Sequence, residues 1–143
     1  MSLAYFDTSV LAKNYIREAG SARVRGLLAT YEFLSSAITP IELRSAMQRR
    51  HRPGEITALN YHSIMARVNA DKPFWQLIEP VPQVLSRAED LVVNYSVRTL
   101  DAIHLASALI LQESLPKPLP FVSADDRQIE AARSCQLQTI AVS

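Results

Sequence analysis

The stretch Arg98-Thr-Leu-Asp-Ala-Ile-His-Leu-Ala-Ser-Ala-Leu109 decides how this chain must fold. Ala and Leu dominate it and neither Gly nor Pro interrupts it, so it reads as a helix from about Thr99 to Gln112. Apolar residues at 100, 102, 103, 105, 106, 108 and 109 leave almost no polar side, and such a helix belongs inside a fold. Asp101 nevertheless sits in its first turn, with His104 one turn later on the same face. A carboxylate carried by a core helix is destabilising unless something pairs with it. The rest of the sequence has to supply what Asp101 meets.

Outward from this helix the chain alternates. Leu3–Phe6, 33–36, 74–78, Phe121–Val122 and 139–142 are short apolar runs with strand character. Helices are expected from a Thr8 or Ser9 cap to Glu18, over 22–30, and from the Thr39-Pro-Ile-Glu42 start to about Arg50. Further helices are expected over 55–70, 84–95 and from Ser123-Ala-Asp-Asp126 to about Cys135. Strands alternating with helices point to a layered α/β fold around a parallel sheet. Pro116, Pro118 and Pro120 make a stiff loop rather than a domain linker, so residues 1–143 form one domain.

Composition excludes several classes. With 48% hydrophobic and 20% charged residues the chain is ordinary for a globular protein. A single cysteine, Cys135, rules out an internal disulfide framework and a Cys-based zinc cluster, and fits a reducing, cytoplasmic setting. The first residues lack the pattern of a signal peptide, and no run of apolar residues is long enough to span a membrane. Three glycines, none in a phosphate-cradling loop, argue against the common nucleotide-binding folds.

Four acids share one kind of position. Asp7, Glu42, Asp101 and Asp125 each fall just before a helix or in its first turn. In parallel α/β folds strand C-termini and helix N-termini gather along one sheet edge, where ligands bind. Four carboxylates packed there repel one another, and a hard divalent cation with oxygen ligands, Mg²⁺ or Mn²⁺, relieves that. Structural roles compete with this reading. Glu42 also fits a capping box with Thr39, and Asp126 fits one with Ser123, which leaves Asp125 for the site. Asp7 also fits a turn after a buried strand, and His104 a core histidine donating to a backbone carbonyl or to Asp101.

Tyr5-Phe-Asp-Thr-Ser-Val-Leu11, Ile41-Glu-Leu-Arg-Ser-Ala46, Leu100-Asp-Ala-Ile-His-Leu-Ala106 and Phe121-Val-Ser-Ala-Asp125 resemble, in order and over essentially the whole chain, the successive motifs of PIN domains. More narrowly they resemble the VapC-type toxin ribonucleases of toxin–antitoxin pairs. The resemblance implies a three-layer α/β/α fold with a mainly parallel sheet of about five strands. It also implies Mg²⁺- or Mn²⁺-dependent endoribonuclease activity, an RNA substrate, a cognate antitoxin and a homodimer. The family's acidic positions fall on Asp7, Glu42, Asp101 and Asp125, and its site hydroxyls on Ser9 and Ser123. Asp7, Asp101 and Asp125 are the expected ligands, with Glu42 holding a second ion or orienting the attacking water, and His104 in support.

The net charge of +1 becomes +5 once the four negative charges of the site acids are set aside. Arg44, Arg49, Arg50 and Arg52 lie on or just after the Glu42 helix and are candidates for binding RNA phosphates, although cations at a helix C-terminus also suit its dipole. The rival readings are a catalytically silent PIN-like module that binds RNA or protein, and a phosphotransferase with Asp7 as nucleophile. The second would want another Asp where Ser9 stands.

Overall fold

The computed structural model describes residues 1–143. Five strands, β1 (Leu3–Phe6), β2 (Glu32–Ser36), β3 (Gln76–Ile78), β4 (Phe121–Ser123) and β5 (Thr139–Ala141), form one sheet in the order β3-β2-β1-β4-β5. Every pairing is parallel, with Tyr5 level with Leu34 on one side and Phe121 on the other. Parallel neighbours need crossovers, and seven helices supply them. These are α1 (Thr8–Tyr15), α2 (Ser21–Thr30), α3 (Thr39–His51), α4 (Ala58–Asp71), α5 (Pro82–Tyr95), α6 (Thr99–Glu113) and α7 (Asp126–Ser134).

Side chains alternate across the sheet and so build two cores. Tyr5, Leu34 and Phe121 face one way and pack with α5, α6 and the Ala131–Ala132 face of α7. Ala4, Phe6 and Val122 face the other way, towards Val10 of α1 and Val24 of α2. A third cluster on that side joins Leu11 and Tyr15 of α1 to Leu43 and Met47 of α3 and to Ile64, Met65 and Val68 of α4. The result is the expected three-layer α/β/α arrangement. As its composition requires, α6 is buried along its length, from Ala102 to Leu109.

Several boundaries differ from the sequence reading, each for a local reason. Helix α1 stops at Tyr15 rather than Glu18, because Ser21 Oγ accepts the Glu18 N–H at 2.9 Å and donates to the Ile16 carbonyl at 2.7 Å, tying a turn. Thr57 caps α4 through a hydrogen bond from the Asn60 N–H, so that helix starts at Ala58 and not near Glu55. Residues Lys72–Phe74 wind into a 3-10 turn around Pro73, which shortens β3 to Gln76–Ile78. Pro82 begins α5, as proline does readily at a first helical position.

Strand order places β1 between β2, which follows it in sequence, and β4, which comes much later. The direction of winding reverses at β1, and the crevice beyond the strand C-termini at such a point is where α/β sheets bind ligands. Asp7 is the first residue past β1.

Candidate active site

The four acids meet in that crevice. A cleft of about 550 Å³ is lined by Asp7, Glu42, Asp101 and Asp125, together with Thr8, Ser9, Ser45, Arg49 and Arg98. Each acid arrives from a different element: the end of β1, the first turn of α3, the first turn of α6 and the residue that caps α7.

Asp7 is almost fully buried. Its Oδ2 accepts hydrogen bonds from the hydroxyls of Ser123 at 2.8 Å and Ser9 at 3.0 Å. Its Oδ1 has no hydrogen bond and lies 3.7 Å from His104 Nε2. Burial pushes the Asp7 carboxyl above the usual aspartate value; the charge of His104 and the two hydroxyls oppose this without reversing it. Ser9 also accepts the Ala124 N–H at 3.1 Å, so the two hydroxyls bolt the start of α1 to the end of β4.

Glu42 does not form the capping box that Thr39 suggested. Thr39 is the first helical residue, not the cap, and its hydroxyl is 2.6 Å from Ser35 Oγ within the core. Glu42 Oε1 instead receives the Thr8 hydroxyl at 2.7 Å and His104 Nε2 at 2.6 Å. Because a carboxylate only accepts, Nε2 carries the proton, and Nδ1 faces the Tyr5 hydroxyl at 2.7 Å. Burial raises the Glu42 carboxyl, but the His104 hydrogen bond and charge, with Thr8, outweigh it and hold it below the usual glutamate value. His104 mirrors this: burial pushes it down, and Glu42 and Asp7 bring it above the usual histidine value. The histidine is therefore not a partner of Asp101 or of a backbone carbonyl, as the sequence suggested. It backs Glu42.

Asp101 is half-buried at the cleft, not sealed in the core, and its partner is Arg98, whose Nε donates to Oδ2 at 3.1 Å. The backbone carbonyl of Asp101 accepts from the buried Gln128 Nε2 at 3.0 Å, which ties α6 to α7. Asp125 serves as the N-cap of α7, accepting the Arg127 and Gln128 N–H groups on Oδ1 at 2.9 and 3.4 Å. Its Oδ2 lies 3.6 Å from Arg98 Nη2. Asp126 is exposed and forms no capping box; Ser123 Oγ accepts the Asp125 N–H and donates to Asp7.

Of the basic candidates, the structure brings Arg49 to the cleft, on the same face of α3 as Glu42 and Ser45. Arg50 is turned to Glu18, at 2.9 Å. Arg44, on the opposite side of α3, and Arg52, just past its end, are exposed away from the cleft. Four participants escaped the sequence reading: Tyr5, Thr8 as a partner of Glu42, Gln128 and Arg98. Only Arg98, a cation three residues before Asp101 at a helix start, left a readable sign.

All four acids offer carboxylate oxygens, the donor set that Mg²⁺ and Mn²⁺ prefer, and the unbonded Asp7 Oδ1 adds to the fit. No three acidic, histidine or cysteine side chains form a ready-made metal cage; Arg98 lies against Asp101 and Asp125, and His104 against Glu42. The donor chemistry fits, with side-chain rearrangement.

Comparison with known proteins places the fold and the family. The PIN domain family profile matches residues 4–134. Ribonuclease VapC46 of Mycobacterium tuberculosis is 31% identical across 100% of both chains. Ribonuclease VapC49 of the same species is 33% identical over 114 residues, 76% of each chain. Among solved structures, FitAcB from Neisseria gonorrhoeae superposes with a TM-score of 0.71 at 17% identity over 96% of each chain. VapBC-5, a toxin–antitoxin system from Mycobacterium tuberculosis, gives 0.66 at 16% identity, covering 99% of this chain and all of its own. From the family profile and the VapC relatives together, this chain belongs to the PIN domain family.

Proposed function

We propose that the protein is a Mg²⁺- or Mn²⁺-dependent endoribonuclease and the toxin of a type II toxin–antitoxin pair. The observation that carries the reading is the convergence of Asp7, Glu42, Asp101 and Asp125 in one cleft at the C-terminal end of β1. Relatives named as VapC ribonucleases and neighbours from toxin–antitoxin complexes support it. Neighbours from toxin–antitoxin complexes support an antitoxin partner; a homodimer and a cytoplasmic place of action belong to the same proposal. No helix is long and apolar enough to cross a membrane.

Asp7, Asp101 and Asp125 would hold the cation. When bound, a divalent ion supplies charge to the scissile phosphate and lowers the pKa of water. Ser9 and Ser123 fix Asp7 in its rotamer by hydrogen bonding one oxygen and leaving the other free. Glu42, its carboxylate held ionised by His104 and Thr8, accepts a proton from, or orients, the attacking water. Arg49 on the cleft wall contributes positive charge for the RNA backbone.

Purified protein is expected to cut members of a broad RNA panel in Mg²⁺ or Mn²⁺, and both EDTA and Asp101→Asn should abolish cutting. Activity that survives both removes the metal mechanism. RNA binding without cleavage across the panel marks a silent binding module instead.

A further inference from the structure

Arg98 has no part in the reading above, yet it touches two of the four acids. Its Nε lies 3.1 Å from Asp101 Oδ2 and its Nη2 3.6 Å from Asp125 Oδ2. Asp125 has little choice of oxygen to offer a ligand, because Oδ1 is committed to the Arg127 and Gln128 N–H groups at the start of α7. A cation that binds Asp125 through Oδ2 and Asp101 through Oδ2 meets the Arg98 guanidinium lying between the two oxygens.

We infer that Arg98 is the resident counter-ion of Asp101 and Asp125, and that a divalent cation binds this site in exchange for it. The inference rests on the metal-dependent reading of the cleft. Several features make Arg98 suited to exchange. Its backbone is anchored, the carbonyl accepting the Ala102 N–H at 2.8 Å, so only the side chain has to move. That side chain is 72% exposed, and ion pairs so open to water are weak and readily given up. The other cations nearby are engaged differently. Arg49 lines the cleft but donates to Ser45 Oγ at 2.9 Å, and Lys13 pairs with Glu18. Among the arginines and lysines around the cleft, Arg98 alone spans two acids from different elements, linking α6 to the α7 cap. A divalent cation brings twice its charge to the same two oxygens, so the exchange runs towards the metal as its concentration rises.

The test is Mn²⁺ affinity, read from the electron paramagnetic resonance of free Mn²⁺ in titrations of the full chain without RNA. Arg98→Gln removes the competitor, and the Mn²⁺ dissociation constant should fall about 3–10-fold. Arg49→Gln removes the same charge from the same cleft without releasing the bridge, and should change it by less than about twofold at 0.15 M salt. Arg98→Lys keeps the charge but loses the planar fork, and should fall between wild type and Arg98→Gln. Equal or weaker Mn²⁺ binding by Arg98→Gln overturns the inference, as does an Arg49→Gln effect of equal size. If neither wild type nor Arg98→Gln binds Mn²⁺ at all, the metal reading itself fails and takes the inference with it.

Discussion

Replacing Asp7 with Asn should stabilise the metal-free protein. Asp7 is 5% exposed, and its ionised form loses hydration worth several kcal/mol that only two hydroxyls and His104 help to offset. Asn keeps the size and retains a carbonyl oxygen for Ser9 and Ser123, but carries no charge to desolvate. Charge-assisted hydrogen bonds contribute about 1.5–3 kcal/mol each, so the two hydroxyls offset most of that cost, and the expected net gain for Asn is about 1–2 kcal/mol. For a chain of this length that corresponds to a rise in Tm of about 3–8 °C. The same burial fixes the pH dependence. Burial raises the folded carboxyl above its unfolded value, so between the two values the folded state binds more protons. Wild-type stability therefore falls as pH rises through that window, and the advantage of Asn opens from about pH 4 and reaches its full size above the folded value. Thermal unfolding in EDTA at pH 4 to 8 measures it, and adding Mn²⁺ should raise the wild-type Tm while leaving Asp7→Asn little changed. A lower Tm for Asp7→Asn in EDTA at pH 7 would show that the hydroxyls and His104 more than compensate for burial, and would refute the reasoning.

His104→Leu should cost about 2–4 kcal/mol in urea unfolding, because it strands Glu42 and the Tyr5 hydroxyl; adding Tyr5→Phe should recover part of the loss. Two glycines should respond in opposite directions in the same assay. Gly20→Ala should destabilise by about 1–3 kcal/mol, since φ is +87° and an added Cβ would lie 2.8 Å from the Ser143 carbonyl oxygen. Gly26→Ala, within α2 and with open space around it, should stabilise by about 0.5–1 kcal/mol. Burial, then the hydrogen bond to Asp71 and its charge, push the Tyr15 hydroxyl well above its usual value, so this residue's stabilising contribution fades as pH rises past the unfolded tyrosine value. Tyr15→Phe should flatten the alkaline limb of the pH–stability curve.

The layered fold was legible because hydrophobic pattern and chain punctuation agree over most elements. The apolar α6 and the run Ala4–Phe6 could only be interior, and the acid after each strand end or at each helix start followed from that placement. What the sequence hid was pairing across it. Thr39 and Glu42 have the spacing of a capping box, but spacing cannot show that His104, 62 residues on, takes the carboxylate instead. Likewise a proximity of three residues joins Arg98 to Asp101, yet nothing local reveals that the guanidinium also reaches Asp125. The α1 terminus at Tyr15 is hidden in the sequence for a similar reason, since Ser21 acts there as a clasp on Ile16 and Glu18 instead of as a loop residue.

The central place of β1 carries a consequence for synthesis. The Tyr5 N–H bonds to the Pro120 carbonyl and the Asp7 N–H to that of Val122, so the far edge of the first strand waits for almost the last one. At about 5–20 residues per second, about 6–24 s separate the making of Asp7 from that of Asp125. Throughout that interval the nascent chain has a half-built cleft, without Ser123 to fix Asp7 and without its fourth acid. A nuclease assembled in this order cannot complete its cleft until Asp125 has been made. Its topology doubles as a delay.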